Sequence, residues 1–292
     1  MKINSIQWVL DQHQKTGLSI WDLALREESA ETGADEAAIR AQLQTTLEAM
    51  RSAVRGGLRE DMSSVTGMTG GDAYRYHRHA GEGKALLGAL GAKAISYALA
   101  TSEYNAAMGV IVAAPTAGSA GILPGLLIAA QEELGFDDTA AQNALMVASV
   151  VGCVIAEKAT LAGAVGGCQA ECGSAAAMTA AALCCVMGGD AETIAHGAAL
   201  ALKNALGLAC DPVAGLVEVP CVKRNGVYTV LAMTAADMAL AGIRSFIPPD
   251  EVIEAMAEIG RVMPACIRET AEGGLATTTT GLLARHKLFG DQ

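Results

Sequence analysis

Ile39, Leu43, Leu47, Met50 and Val54 recur every three or four positions, which is the spacing of one helix face. Residues 35–55 are therefore predicted to form an amphipathic helix, with Asp35 as its cap and Gly56-Gly57 as its stop. Residues 62–81 carry Gly67, Gly70 and Gly71 without periodicity and read as a loop. From about residue 84 the polar–apolar alternation gives way to runs of Ala, Gly, Ser and Leu broken by glycine. Asp138 is expected to cap a helix running to about 158, and Asp190 another over 191–206. Pro248-Pro249-Asp250 opens a helix near 250–262 with Val252, Met256 and Ile259 on one face, and Pro264 ends it. The pattern contains no period-2 strand signal and no fixed repeat. It predicts an all-α fold: an N-terminal helical segment over 1–60 packed on a single helical domain over 61–292, with Gly-rich loops between small-residue helices.

Composition strengthens this reading. Aromatic residues make up 3% of the chain and glycines number 33, so backbones must pack closely. Alanine, abundant throughout, is the strongest helix former. The uncharged windows 139–156 and 172–189 reach the length at which a membrane span begins, and 104–131 is longer still. They consist largely of Ala, Gly, Ser, Thr and Cys, and the longest contains Pro115 and Pro124, so buried helices are expected and no membrane. A net charge of −11 argues against a nucleic-acid partner, which would need a basic surface. The N-terminus MKINSIQWVLDQHQK has neither the apolar core nor the cleavage site of a signal peptide. With eight cysteines, the expected location is the reducing cytoplasm, where thiols pack, bind metal or catalyse.

The stretch CDPVAGLVEVPCVKRN, residues 210–225, sets two of those cysteines on a turn that cannot be helical. A third, Cys168, lies in the loop GAVGGCQAECG, residues 163–173. Cys168, Cys210 and Cys221 are 42 (168 to 210) and 11 (210 to 221) residues apart, unlike the paired spacing of zinc ribbons. Thiolates are soft ligands for iron–sulfur clusters, zinc or copper(I), so this trio could share a metal; buried thiols also serve simply as small hydrophobes. Packing is the expectation for Cys153, Cys184 and Cys185, which sit in apolar helical runs, and for Cys172, one helical turn after Cys168. Cys266 follows a proline and is open to either role.

A second glycine-punctuated loop, APTAGSAGILPG over 114–125, offers Thr116, Gly118 and Ser119 as hydroxyl and backbone N–H groups for a small carboxylate. It lacks the order of a nucleotide-binding P-loop. His196 and Lys203 share a helix face; a solvated face is the expected reading, while Lys203 could act as a base or bind a substrate carboxylate near Cys210. His77 and His79 are expected at the surface.

Together GMTGGDA (67–73), APTAGSAGILPG (114–125), GGCQAECGSA (166–175), LGLACDPVAGLVEVPCVKRN (206–225) and GGLATTTTG (273–281) resemble the iron–sulfur-dependent L-serine dehydratases, most closely the separate alpha chain of the two-subunit form. The resemblance implies a lyase that deaminates L-serine to pyruvate and ammonia without pyridoxal phosphate. It implies a [4Fe–4S] cluster held by Cys168, Cys210 and Cys221, with an open iron acting as a Lewis acid on the serine hydroxyl. The single-chain members carry an additional N-terminal domain with a Ser-Ser-His-Thr motif that is missing here, so a beta-chain partner is expected. A related lyase acting on L-cysteine or L-threonine remains an alternative, as does a structural zinc protein using Cys172, Cys266 or a histidine as fourth ligand. A pyridoxal enzyme would need an α/β scaffold that the pattern lacks.

Overall fold

The computed structural model describes residues 3–290 and, among these, holds thirteen α-helices and no strand, as the pattern predicts. The first three are α1 (Ile6–Thr16), α2 (Ile20–Thr32) and α3 (Glu36–Gly57). They are followed by α4 (Asp72–Gly81), α5 (Gly88–Ala106), α6 (Ile122–Leu134) and α7 (Asp138–Lys158). Next come α8 (Gly163–Gly166), α9 (Ser174–Val186), α10 (Ala191–Lys203), α11 (Cys221–Leu240), α12 (Pro249–Val262) and α13 (Thr279–Phe289).

The centre of the molecule is α9. Every residue from Ser174 to Cys184 is buried, because α6, α7, α10 and α11 pack around it. A helix covered on all sides needs no polar face, which is why its sequence is alanine with almost no periodicity. Around α5 stands a second group, made of α3, α4, α6 and α11. One hydrophobic core runs from Ile3 and Val54 through Val147 and Ala199 to Met256, joining the segment before residue 60 to the rest. The helix α7 is long and apolar enough to cross a membrane by length and composition, but 67% of that window is buried inside the fold, against partners that include α2, α3, α9 and α12.

Five local expectations are corrected. Residues 72–81 are helical, because the buried Glu103 carboxylate accepts hydrogen bonds from the amides of Asp72 (2.8 Å) and Ala73 (3.3 Å) and so caps α4. Gly56 and Gly57 lie inside α3 rather than after it; a Cβ on Gly57 would stand 1.9 Å from the Ala100 carbonyl oxygen, so glycine there permits close approach of α3 to α5. The cap of α7 is Asp137, whose side chain accepts from Ala140 N, while Asp138 pairs with Arg51. The helix over 191 ends at Lys203, short of 206, and the buried face of α12 comprises Val252, Ile253, Met256 and Gly260, with Ile259 only half-buried.

Candidate metal centre

Cys168 stands between α8 and α9. Gly167, at φ +74°, occupies the left-handed region that turns the chain out of α8. A π turn, Gln169–Gly173, then leads into α9, the kind of local widening found at functional sites. The fully buried Gln169 anchors this turn: its side-chain N–H donates to Met256 O (3.0 Å) and its oxygen accepts from Gly207 N (2.8 Å). The sulfurs of Cys168 and Cys172 lie 3.5 Å apart. Cys172 therefore packs, as expected, but its neighbour is another thiol of the site.

The 210–221 stretch is a built turn. Cys210 N donates to Ile267 O (2.8 Å) and its carbonyl accepts from Glu269 N (2.7 Å), which holds the cysteine in an isolated parallel bridge with Arg268. Asp211, almost fully buried, accepts from Arg224 (2.8 Å) and from Leu275 N (2.8 Å), while Arg224 also donates to Ala209 O (2.8 Å). Between Pro212 and Pro220 the chain makes a short 3₁₀ turn, Val213–Gly215, and Val213 N donates to Val219 O (2.8 Å). That closure returns the chain to Cys221, the first residue of α11.

The sulfurs of Cys168 and Cys210 and a Glu171 carboxylate oxygen all lie within 4.8 Å of one another and could hold a metal ion. Glu171 also links the thiols to the 114–125 loop. Its Oε1 accepts from Thr116 Oγ1 (2.8 Å), and Cys210 Sγ is 3.7 Å from its Oε2. Thr116 Oγ1 is in turn 3.1 Å from Ser119 Oγ, and a Cβ on Gly118 would come within 3.2 Å of Glu171 Oε1. Hydrogen bonds from the Cys172 and Cys210 thiols, helped by the Arg224 guanidinium, hold the Cys168 thiol well below its ordinary range despite burial. The same bonds push Cys172 and Cys210 up. Burial, reinforced by the charges of Cys168 and Glu171, pushes Cys221 up to about 12. Burial also lifts Glu171 to about 7, with the Cys168 and Glu269 charges adding to the effect. The result is one thiol biased toward its ionised form and flanked by soft donors, with a carboxyl between them and the loop.

Thus Cys168, Cys210, Thr116, Gly118 and Ser119 converge. Cys221 is buried within electrostatic reach of Cys168 and Glu171. Among the described residues no hydrogen bond or ion pair joins Lys203, half-buried in the last turn of α10, to the thiols. His77 and His79 are exposed on α4, and His196 Nδ1 accepts from Ser245 N (3.2 Å). Cys184 is buried and Cys185 half-buried, but Cys153, expected to pack, is exposed on the outer side of α7; Cys266 is exposed too. Sequence reasoning missed Glu171, Arg224 and Asn225. A signal existed for the first: Glu171 is the one charged residue between Lys158 and Asp190.

Residues 15–276 match the family described as "Serine dehydratase alpha chain". The chain belongs to that family. It is 48% identical over 286 residues (98% of this chain, 95% of the relative) to the "Probable L-serine dehydratase, alpha chain" of Bacillus subtilis (strain 168). It is 45% identical over 279 residues (96% of each) to the "L-serine dehydratase, alpha chain" of Peptoniphilus asaccharolyticus. The "L-serine dehydratase" of Streptomyces coelicolor is 40% identical over 272 residues, which cover 90% of this chain but 58% of that longer protein.

Proposed function

We propose that the chain is the alpha subunit of a pyridoxal-independent L-serine dehydratase that works with a beta chain in the reducing cytoplasm and yields pyruvate and ammonia. The observation that carries this reading is the meeting of a buried thiol cluster with a hydroxyl-lined loop through Glu171, hydrogen-bonded to Thr116 at 2.8 Å and 3.7 Å from Cys210. The donors suit an iron–sulfur cluster: they are soft, buried, and include one sulfur already drawn toward thiolate. Cys168, Cys210 and Cys221 would hold a [4Fe–4S] cluster. When bound, such a cluster with three protein thiolates supplies a Lewis-acidic iron for the serine hydroxyl.

The chain's own groups bind and orient the substrate. Thr116, Ser119 and the backbone amides around Gly118 receive the carboxylate. Arg224, tied to Asp211, places a fixed cation behind the cysteines and offsets their negative charge. Glu171, lifted to about 7, accepts from Thr116 at Oε1 and from the Cys210 thiol at Oε2, so it is placed to take up or release a proton beside the cysteines, and the surrounding helices exclude bulk water from the thiols. Loss of water from serine leaves aminoacrylate, whose imine tautomer takes up water to give pyruvate and ammonia.

A closed zinc site is the second reading, because Cys172 beside Cys168, with Cys210 and Glu171, makes a four-donor set. Metal and sulfide quantification on anaerobically co-expressed alpha and beta chains, with pyruvate and ammonia assays on L-serine, L-threonine and L-cysteine, separates them. Iron and sulfide together with turnover of L-serine are expected; zinc without sulfide, or no turnover, overturns the proposal.

A further inference from the structure

Asn225 lies one helical turn into α11 after Cys221 and is 1% exposed. Its side chain is fully committed. The amide nitrogen donates to Gly118 O (2.8 Å) and to Cys221 O (2.9 Å), and the amide oxygen accepts from Gly121 N (2.8 Å). Three bonds thus run from one buried carboxamide to both ends of the Gly118–Gly121 stretch and to the backbone of a cluster cysteine.

Besides Asn225, the only side chain from outside the loop that donates to its backbone, among the described residues, is Asn105, whose amide reaches Ala117 O at 3.3 Å on the exposed side. A Cβ on Gly121 would lie 2.3 Å from Ala98 O, 2.7 Å from Ser102 Oγ and 3.0 Å from Asn225 Oδ1, so the backbone presses directly on the amide. Ser102 Oγ makes no hydrogen bond, which leaves the Gly121 amide dependent on Asn225. On its other side the loop meets Glu171, hydrogen-bonded to Thr116. The loop is therefore clamped between Asn225 and Glu171.

We propose that Asn225 is a positioning residue that sets the 116–121 loop in register with Cys221, so that the substrate carboxylate and the cluster are held at a constant separation. This rests on the reading above, in which the loop receives the carboxylate and Cys221 holds the cluster. Only a carboxamide performs the task, because it must donate twice and accept once. Aspartate keeps the shape and the acceptor for Gly121 N–H, but it turns an oxygen toward two carbonyls.

The test uses Asn225→Asp in the anaerobic alpha–beta holoenzyme and in the metal-free chain. In the holoenzyme, KM for L-serine rises about tenfold while kcat changes far less, as expected for lost binding from two missing donations. In the metal-free chain, alkylation of Cys221 by iodoacetamide, followed by peptide mass, becomes faster. Either quantity unchanged from the parent overturns the proposal. Should the variant fail to fold, hydrogen exchange of the parent decides: the Gly121 amide exchanges as slowly as the amides of α5 and α6. Exchange as fast as in the open 82–87 loop overturns the clamp. If the parent itself binds no iron and forms no pyruvate, the functional reading falls, while alkylation and exchange still judge Asn225.

Discussion

At the residue scale the informative feature is a buried thiol that loses its proton more readily than burial alone would allow. Cys168 is 2% exposed yet leans toward thiolate, because two thiols and a guanidinium point at it. Its sulfur, that of Cys210 and a Glu171 oxygen lie within 4.8 Å of one another and could share a metal ion. Cys210→Ala is therefore expected to abolish iron retention, measured as iron per chain after anaerobic purification. Cys184→Ala, deep in α9, removes one sulfur at a cost of about 1 kcal/mol and leaves iron content unchanged. Cys210 and Cys221 were legible in the sequence because prolines and a glycine break the helix pattern around them. Asn225 was not: the stretch 210–225 read as a non-helical turn, whereas residues from Cys221 on belong to α11, and the partners of Asn225 lie in the distant 114–125 loop. Glu171 stood out by charge, but its role depends on Thr116, 55 positions away.

Among the elements, close approach and caps decide more than propensity. Gly57→Ala would gain about 1 kcal/mol of helix propensity in an isolated helix. Here its Cβ would meet the Ala100 carbonyl at 1.9 Å, and overpacking of backbone on backbone costs about 1–3 kcal/mol. Net destabilisation of about 1 kcal/mol is expected, read as a lower urea midpoint. The contact between α3 and α7 includes the ion pair of Arg51 and Asp138, which Gln44 and Gln131 support at 2.9 Å each. Hydrogen bonding to Arg51 holds the Asp138 carboxyl below its ordinary 3.8. Its folded pKa is thus depressed, so the pair's contribution is present above about pH 4 and is lost as the pH falls further. Arg51→Met should lower stability at neutral pH and flatten the loss below about pH 4, in urea titrations across that range. The periodic helix over 35–55 was readable because one face is polar. The start of α4 at residue 72 was not, because its cap comes from Glu103, far along the chain.

The whole molecule is a helical body whose site faces a loop rather than lying inside a single element. The chain matches 58% of the longer S. coelicolor relative, while relatives that it covers to 95% and 96% are described as alpha chains. The chain alone, purified without oxygen, is expected to retain iron yet form pyruvate only after the beta chain is added, as followed by a coupled pyruvate assay.

The sequence by itself determined the all-α class, the small-residue helices and the breaks that carry cysteine, because periodicity and turn chemistry act over a few neighbouring residues. Through its motifs it also pointed to the family. Only the tertiary structure decided that Cys172 stands against Cys168, that Glu171 bridges thiols to hydroxyls, and that Asn225 grips a loop 107 positions away. Those relations join segments whose separation along the chain no local pattern encodes; packing around α9 and α11 brings them together.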